Sequence, residues 1–294
     1  VRENLRQSFT EEKEIRTQSI FLEEEQPFFV LTLPKSGTHL FMKMLDILTD
    51  KEPSEFWRQF PSLNIFHFPE EIHNRAISSS EIERAFSHSF EKNRYPIAHF
   101  NFGDLFYDFS LAHPDYVKLL LIRDLRDIYV STLFFQSKTI KEVTGLSSFD
   151  DQLTFLLSMG EGENLTRIFN IEKFAKMALK WVGDSQAIMC RFEDLIGERG
   201  GGTAESQKKL LETIADALKI IIDKEDLDLI SEELFGIEEG MIETRLFNAT
   251  FRKGMIGESA LYFNEKNKKI FNENLGKLQT TLGYPLFEVE PNHL

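Results

Sequence analysis

The sequence predicts an α/β fold: a single domain with a central, mostly parallel sheet flanked by helices, and a P-loop-like turn after the first strand. Three observations carry this. Apolar runs of strand length alternate with stretches of helical periodicity. The runs read as strands buried by helices, the pattern of a doubly wound sheet. The first run, "PFFVLTL", breaks at Pro34-Lys35-Ser36-Gly37-Thr38 and gives way at once to an amphipathic pattern.

The elements follow in order. Residues 1–26 read as a polar, acidic arm, and 27–294 as the single α/β domain. "PFFVLTL" is a buried strand, followed by a helix from about His39 to Thr49. "DKEPSEFWRQFPSLNIFHFPEE" reads as loop, with its prolines and scattered aromatics. "SSSEIERAFSHSFEKN" has serine caps and helical spacing at Ile82, Ala85, Phe86 and Phe90. "YPIAHF" is a short strand, and "DLFYDFSLAHP" a helix closed by Pro114. "YVKLLLIRD" is a buried strand, and "LRDIYVSTLFFQSK" the helix after it. "SFDDQLTFLLSMG" and "NIEKFAKMALKWV" are helical, "QAIMCRFED" is a fourth strand, and "GERGGGT" a flexible turn. Helices are expected over Ala204–Ile222 and Glu225–Leu234, with a last one from about Glu265 to Leu282.

Of the 294 residues, 41% are hydrophobic and 28% charged, which is ordinary for a soluble globular protein. The net charge of -14 argues against nucleic acid and anionic membranes as partners, so any anion site must be a local basic cluster. One cysteine, Cys190, rules out an internal disulfide and reads as a buried structural thiol. The first residues lack an apolar secretory core, and no apolar run reaches the ~18 residues of a membrane helix. The expectation is a cytoplasmic protein without an integral membrane segment. The 28 phenylalanines are mostly core, with a surplus that could line an acceptor pocket.

In sheets of this kind ligands gather at the carboxyl ends of the strands, where the Lys35 turn, His99 and Arg123 all fall. At the turn, Gly37 permits close backbone approach, and helix-start N–H groups attract an anion. Lys35 adds a mobile positive charge, and Ser36 and Thr38 add hydroxyls. A nucleoside-triphosphate loop places its lysine after the second of two glycines; here the lysine precedes the only one, which disfavours ATP or GTP with magnesium. No His, Cys or carboxylate cluster with zinc spacing is visible, so no metal is expected.

With these residues the chain resembles the cytosolic-type sulfotransferases, which use 3'-phosphoadenosine 5'-phosphosulfate (PAPS). The family's Pro-Lys-Ser-Gly-Thr-Thr-Trp is matched by Pro34-Lys35-Ser36-Gly37-Thr38, then His39 and Leu40. Its strand-end arginine and the serine eight positions on are matched by Arg123 and Ser131, and Asp127 stands where the family also has aspartate. Its Arg-Lys-Gly-x-x-Gly is matched by Arg252-Lys253-Gly254 and Gly257, while the Trp-Lys-Asn that follows in the family is absent. "RFEDL" is similar to a Tyr-Glu-Asp strand end and puts Phe192 where the family packs an aromatic ring on adenine. "YPIAHFNF" is similar to Lys-Thr-His-Leu-Pro and puts His99 at the catalytic histidine. The likeness runs from about Phe28 to Leu282.

The resemblance implies sulfuryl transfer from PAPS to a hydroxyl or amine of a small, apolar or aromatic acceptor, leaving 3',5'-ADP (PAP), with no metal. It implies Lys35 and His99 as catalytic residues: Lys35 stabilises the leaving phosphate and His99 is the general base. It implies Lys35, Ser36, Gly37, Thr38 and His39 as a phosphosulfate-binding loop, and Arg123 and Ser131 at the 3'-phosphate. Phe192 falls to adenine, and Arg252, Lys253 and Gly254 to further phosphate contacts. The acceptor pocket falls to loops near 52–78 and 139–160, where Phe56, Phe60, Phe66 and Phe68 either point to an apolar or aromatic alcohol or anchor a long loop to the core. Trp57 and Trp181 read as packing residues, Phe235 as a possible neighbour of adenine, and His67 and His73 have no counterpart. A non-catalytic nucleotide binder and a small-molecule kinase of related fold are the competing readings. Oligomeric state stays open.

Overall fold

The computed structural model describes residues 26–55, 78–100, 103–160, 168–235 and 254–289. Five strands are seen: β1 (Phe28–Thr32), β2 (Glu52–Glu55), β3 (Arg94–His99), β4 (Val117–Ile122) and β5 (Ala187–Arg191). They form one all-parallel sheet in the order β2-β3-β1-β4-β5. The expected fold class stands: a central parallel sheet flanked by helices. One expectation fails. Glu52–Glu55, whose polar residues and Pro53 predict a loop, pairs with β3 from Glu52↔Arg94 to Glu55↔Ile97. A strand at the sheet edge tolerates a proline whose missing N–H has no partner strand to serve.

Among the described residues the helices are α1 (Thr38–Thr49), α2 (Ser79–Glu91), α3 (Gly103–Ala112), α4 (Leu125–Thr144), α5 (Phe149–Ser158), α6 (Ile171–Ala178), α7 (Phe192–Leu195), α8 (Ala204–Leu218), α9 (Lys224–Phe235) and α10 (Glu265–Thr281). Capping follows the sequence. Ser78 accepts the Glu81 N–H while Glu81 reaches back to the Ser78 N–H, a reciprocal cap for α2. Asn264 and Thr203 cap α10 and α8 in the same way from one side. The GERGGGT turn is packed rather than loose: Gly200 is buried, and a Cβ there would lie 2.8 Å from the Gly254 carbonyl oxygen.

Two apolar layers hold the sheet. On one face Phe29, Leu31 and Leu33 pack with Phe86, Phe106, Phe174, Trp181 and Phe271. On the other Phe28 and Val30 pack with Phe41, Met44 and Leu45 of α1 and Leu211 and Ile214 of α8. Many of the phenylalanines pack here: the Phe29 ring meets Phe106 at 5.2 Å, Phe86 at 5.8 Å and Trp181 at 6.0 Å, mostly edge to face. Cys190 is fully buried, and burial pushes its thiol up, away from a reactive thiolate. Among the described residues no helix is long and apolar enough to cross a membrane.

Register brings the site together. Thr32 at the end of β1 lies opposite His99 of β3 and Leu121 of β4, and Ile122 lies opposite Arg191 of β5. The residues that follow, Leu33 to Gly37, Phe100, Arg123 and Phe192, therefore leave the sheet at one level. The chain order reverses across β1, whose neighbours are β3 and β4, and that is where such sheets open a crevice.

Candidate functional site

The Lys35 loop makes a sharp exit from β1. Lys35 takes φ 65° and Gly37 φ 94°, both in the left-handed region. For lysine this costs roughly 1 kcal/mol or more and is held only by surrounding structure. Gly37 is required as glycine for a second reason: a Cβ there would lie 2.5 Å from Cδ2 of Phe192. Gly37 is also the N-cap of α1, which has no side-chain cap and no acidic residue in its first turn. Its leading N–H groups and dipole thus face outward uncapped, a place for an anion in a strongly acidic chain.

The hydroxyls of this loop turn inward. Ser36 Oγ donates to the Leu33 carbonyl at 2.6 Å. Thr38 Oγ1 donates to Thr32 Oγ1 at 3.0 Å. The anion donors that the loop presents are therefore backbone N–H groups and Lys35, where the sequence had suggested the hydroxyls as well. Lys35 Nζ sits 4.2 Å from the centre of the Phe135 ring, a cation–π contact worth ~0.5–2 kcal/mol. His39 is partly exposed on the second residue of α1.

His99 ends β3 and is 7% exposed. Its Nδ1 lies 2.7 Å from Thr32 Oγ1 and 3.3 Å from the Thr32 carbonyl. Burial pushes its pKa down to about 4; the Thr32 hydrogen bond opposes this, and the charges of His39 and Lys35 add to it. The imidazole is therefore neutral at pH 7, with Nδ1 committed to β1.

Arg123, the residue after β4, is 6% exposed. Its Nη2 donates to the Met255 carbonyl at 2.8 Å and lies 3.4 Å from Asp127 Oδ2; its Nη1 approaches the Lys35 carbonyl at 3.5 Å. The guanidinium stacks 4.1 Å over the Phe192 ring. Its Nε is buried with no acceptor. An orphan N–H on a buried cation costs ~1–3 kcal/mol until something accepts it, and a phosphate oxygen is such an acceptor. Together with the uncapped α1 and the glycine pressed on Phe192, this fits a nucleotide phosphate group.

Of the sequence-predicted site residues, Lys35, Ser36, Gly37, Thr38, His99, Arg123 and Phe192 are brought to one end of the sheet. Ser131 is half-buried two turns along α4. Gly254 is half-buried with φ 63°, directly after Lys253; Arg252 and Lys253 lie outside the described residues, as do Trp57, His67, His73 and the phenylalanines at 56, 60, 66 and 68, and the side chain of Phe235. Three participants were missed: Phe135 beneath Lys35, the Met255 carbonyl on Arg123, and the grip of Asp127 on both Arg123 and the 254–259 segment. Only the last had a signal, the i,i+4 spacing of Arg123 and Asp127. A concavity of about 620 Å³ lined by Asp50, Glu52, His88, Lys92, Asn93 and Arg94 opens at the other end of the sheet, where β2 and β3 begin, and shares no residue with this site. Among the described residues no group of three or more His, Cys, Asp or Glu could hold a metal ion.

No protein-family model matches the chain, and no curated protein sequence does. Solved structures do. Mouse sulfotransferase SULT7A1 complexed with PAP matches over 89% of this chain and 89% of its own, with a TM-score of 0.55 and 17% identity. Retinol dehydratase in complex with androsterone and inactive cofactor PAP matches over 92% of this chain and 83% of its own, with a TM-score of 0.53 and 17% identity. At such identities the likeness is one of fold.

Proposed function

We propose that this chain, which carries the sulfotransferase fold, binds PAPS and moves its sulfuryl group to a hydroxyl or amine of a small acceptor. The observation that carries the reading is convergence on Arg123. Its guanidinium lies against the Lys35 carbonyl at 3.5 Å and the Met255 carbonyl at 2.8 Å. Three distant segments, each resembling one of the family's signatures, thus surround a single buried cation whose Nε has no acceptor. The two matching structures hold PAP, which supports the same ligand here.

The donor, when bound, supplies an activated sulfuryl group on a 5'-phosphate whose leaving oxygen gains charge as the bond breaks. Lys35 and the N–H groups at the start of α1, from Gly37, Thr38 and His39, stabilise that charge from fixed positions, which is where a preorganised donor contributes most. Arg123 and Ser131 hold the 3'-phosphate, joined by Arg252, Lys253 and Gly254 of the third segment. Phe192, expected at adenine, is 3% exposed with its ring between Gly37 and the Arg123 guanidinium, so its part is to fix the gap between the loop and Arg123. Ser36 keeps the loop in shape through its bond to Leu33.

His99 takes the acceptor's proton. In the tautomer whose Nδ1–H donates to the Thr32 carbonyl, the lone pair lies on Nε2, and Nε2 is the base. A pKa of about 4 keeps the imidazole unprotonated at pH 7 but makes it a weak base. Negative charge bound at the Lys35 loop raises that pKa toward neutrality, so the base strengthens when the donor is in place. The paired rings of Phe135 and Phe169, 5.9 Å apart and nearly parallel, stand beside Lys35 and favour an apolar or aromatic acceptor.

The test is a screen with labelled PAPS against phenols, steroids, aliphatic alcohols and amines, run on the wild type and on His99→Ala. The expected result is transfer to at least one class, abolished in the variant while 3',5'-ADP affinity is unchanged. Tight 3',5'-ADP binding with no transfer to any class would leave a nucleotide-binding protein without catalysis. Full turnover in His99→Ala would remove the base.

A further inference from the structure

We infer that Asp127 is the positioning residue that makes this site discriminate a 3'-phosphate; the inference rests on the nucleotide reading above. Asp127 is the third residue of α4 and is 2% exposed. Its Oδ2 accepts the Gly257 N–H at 2.8 Å and its Oδ1 accepts the Ser259 N–H at 2.9 Å. The same Oδ2 lies 3.4 Å from Nη2 of Arg123. One buried carboxylate thus joins the arginine of the second segment to the backbone of the third. Arg123 closes the knot by donating to Met255, and the Ile256 N–H donates to the Gly200 carbonyl at 2.9 Å.

Every partner of Asp127 is a donor. A carboxylate is acceptor-only and can meet all three, whereas an amide of the same shape must aim an N–H₂ group at a backbone N–H or at the guanidinium. The substitution Asp127→Asn therefore keeps the volume and breaks the knot. It releases the segment that begins at Gly254, directly after Arg252 and Lys253, and it frees the Arg123 head group to rotate on Phe192. Asp127 touches no reacting atom, and the Lys35 loop, whose carbonyl Arg123 reaches only at 3.5 Å, is held chiefly by Leu33 and Phe192. Its loss should thus weaken the hold on one phosphate and spare the other.

The experiment is calorimetric titration of the full chain with 3',5'-ADP and with 5'-AMP. The wild type should bind 3',5'-ADP more tightly than 5'-AMP. In Asp127→Asn that ratio should fall by about tenfold or more, the equivalent of a lost charge-assisted hydrogen bond, with the loss borne by 3',5'-ADP and 5'-AMP affinity within about twofold. A purely structural role would weaken both ligands alike, and an unchanged ratio in Asp127→Asn overturns the inference. If that variant does not fold, Ser259→Pro decides. It deletes the single N–H that Oδ1 accepts, in the first turn of a 3₁₀ helix (Glu258–Leu261), where that N–H has no partner within the helix. A ratio reduced at least about twofold supports the inference, and a wild-type ratio contradicts it. A wild type that binds neither nucleotide, or binds both equally, sinks the underlying nucleotide reading instead.

Discussion

Gly37→Ala is the sharpest single perturbation the site offers. The added Cβ would stand 2.5 Å from Cδ2 and 2.8 Å from Cε2 of Phe192, against the 3.4 Å at which ordinary contact begins. The ring must retreat by about 1 Å, an overpacking cost of ~1–3 kcal/mol. Alanine at φ 94° adds ~1–2 kcal/mol of backbone strain. The structure contains its own control. Gly145, the C-cap of α4, has φ 77° and nothing within 4 Å of an added Cβ, so Gly145→Ala carries the strain alone. Chemical denaturation of both variants should show Gly37→Ala the more destabilised by ~1–3 kcal/mol. Because the displaced ring is the platform beneath Arg123, 3',5'-ADP affinity should fall in Gly37→Ala and hold in Gly145→Ala. Equal destabilisation of the two variants would refute the packing of Phe192 on the loop.

Further expectations concern single groups. His99 titrates near 6.5 in an unfolded chain and near 4 in the fold, so between those values the unfolded state binds more protons. Wild-type stability should fall as pH drops from 6.5 to 4, by up to about 3 kcal/mol relative to His99→Gln, and denaturation curves that run parallel across this window would contradict it. Lys35→Ala should lower kcat by ~10²–10³ in the labelled-donor assay, the scale of a lost oxyanion donor, without unfolding the chain. Arg123→Lys keeps the charge but loses the planar fork that reaches two carbonyls, and titration should show 3',5'-ADP bound about tenfold or more weakly. Tyr284 donates to the half-buried Glu193 at 2.8 Å, and Glu193 in turn accepts the Asp124 N–H next to Arg123. Tyr284→Phe should cost about 1 kcal/mol or more by denaturation, since the half-buried carboxylate loses a donor.

The sequence shows the parts whose structure is local. β1, α1 and the turn between them are legible because an apolar run, a glycine and an amphipathic pattern sit side by side. β2 is not, because Glu52–Glu55 has no strand-like composition and is a strand only by pairing with β3. α4 runs past Lys138 to Thr144 because Ile140 continues its buried face and Gly145 supplies the left-handed stop. α8 ends at Leu218, short of the expected Ile222, because Lys219 takes the left-handed cap with φ 58°. Within the site, Lys35, His99 and Arg123 are legible as residues at strand ends. The inward turn of Ser36 and Thr38 is not, since it depends on carbonyl and hydroxyl acceptors that only the folded loop presents. The Arg123–Met255 bond spans 132 residues, and no periodicity reports a contact of that separation.

The central claim is that one acidic chain folds a small cationic cradle for an adenosine bearing phosphates at both the 3' and 5' positions. Its most direct test is thermal melting of the intact protein with 3',5'-ADP, compared with ATP plus magnesium. A ligand that binds only the folded state stabilises it by ~2.7 kcal/mol at a hundred times its Kd. A clear, saturable upward shift is expected with 3',5'-ADP, and little with ATP and magnesium. A shift with ATP and magnesium alone would contradict it and point to phosphoryl transfer.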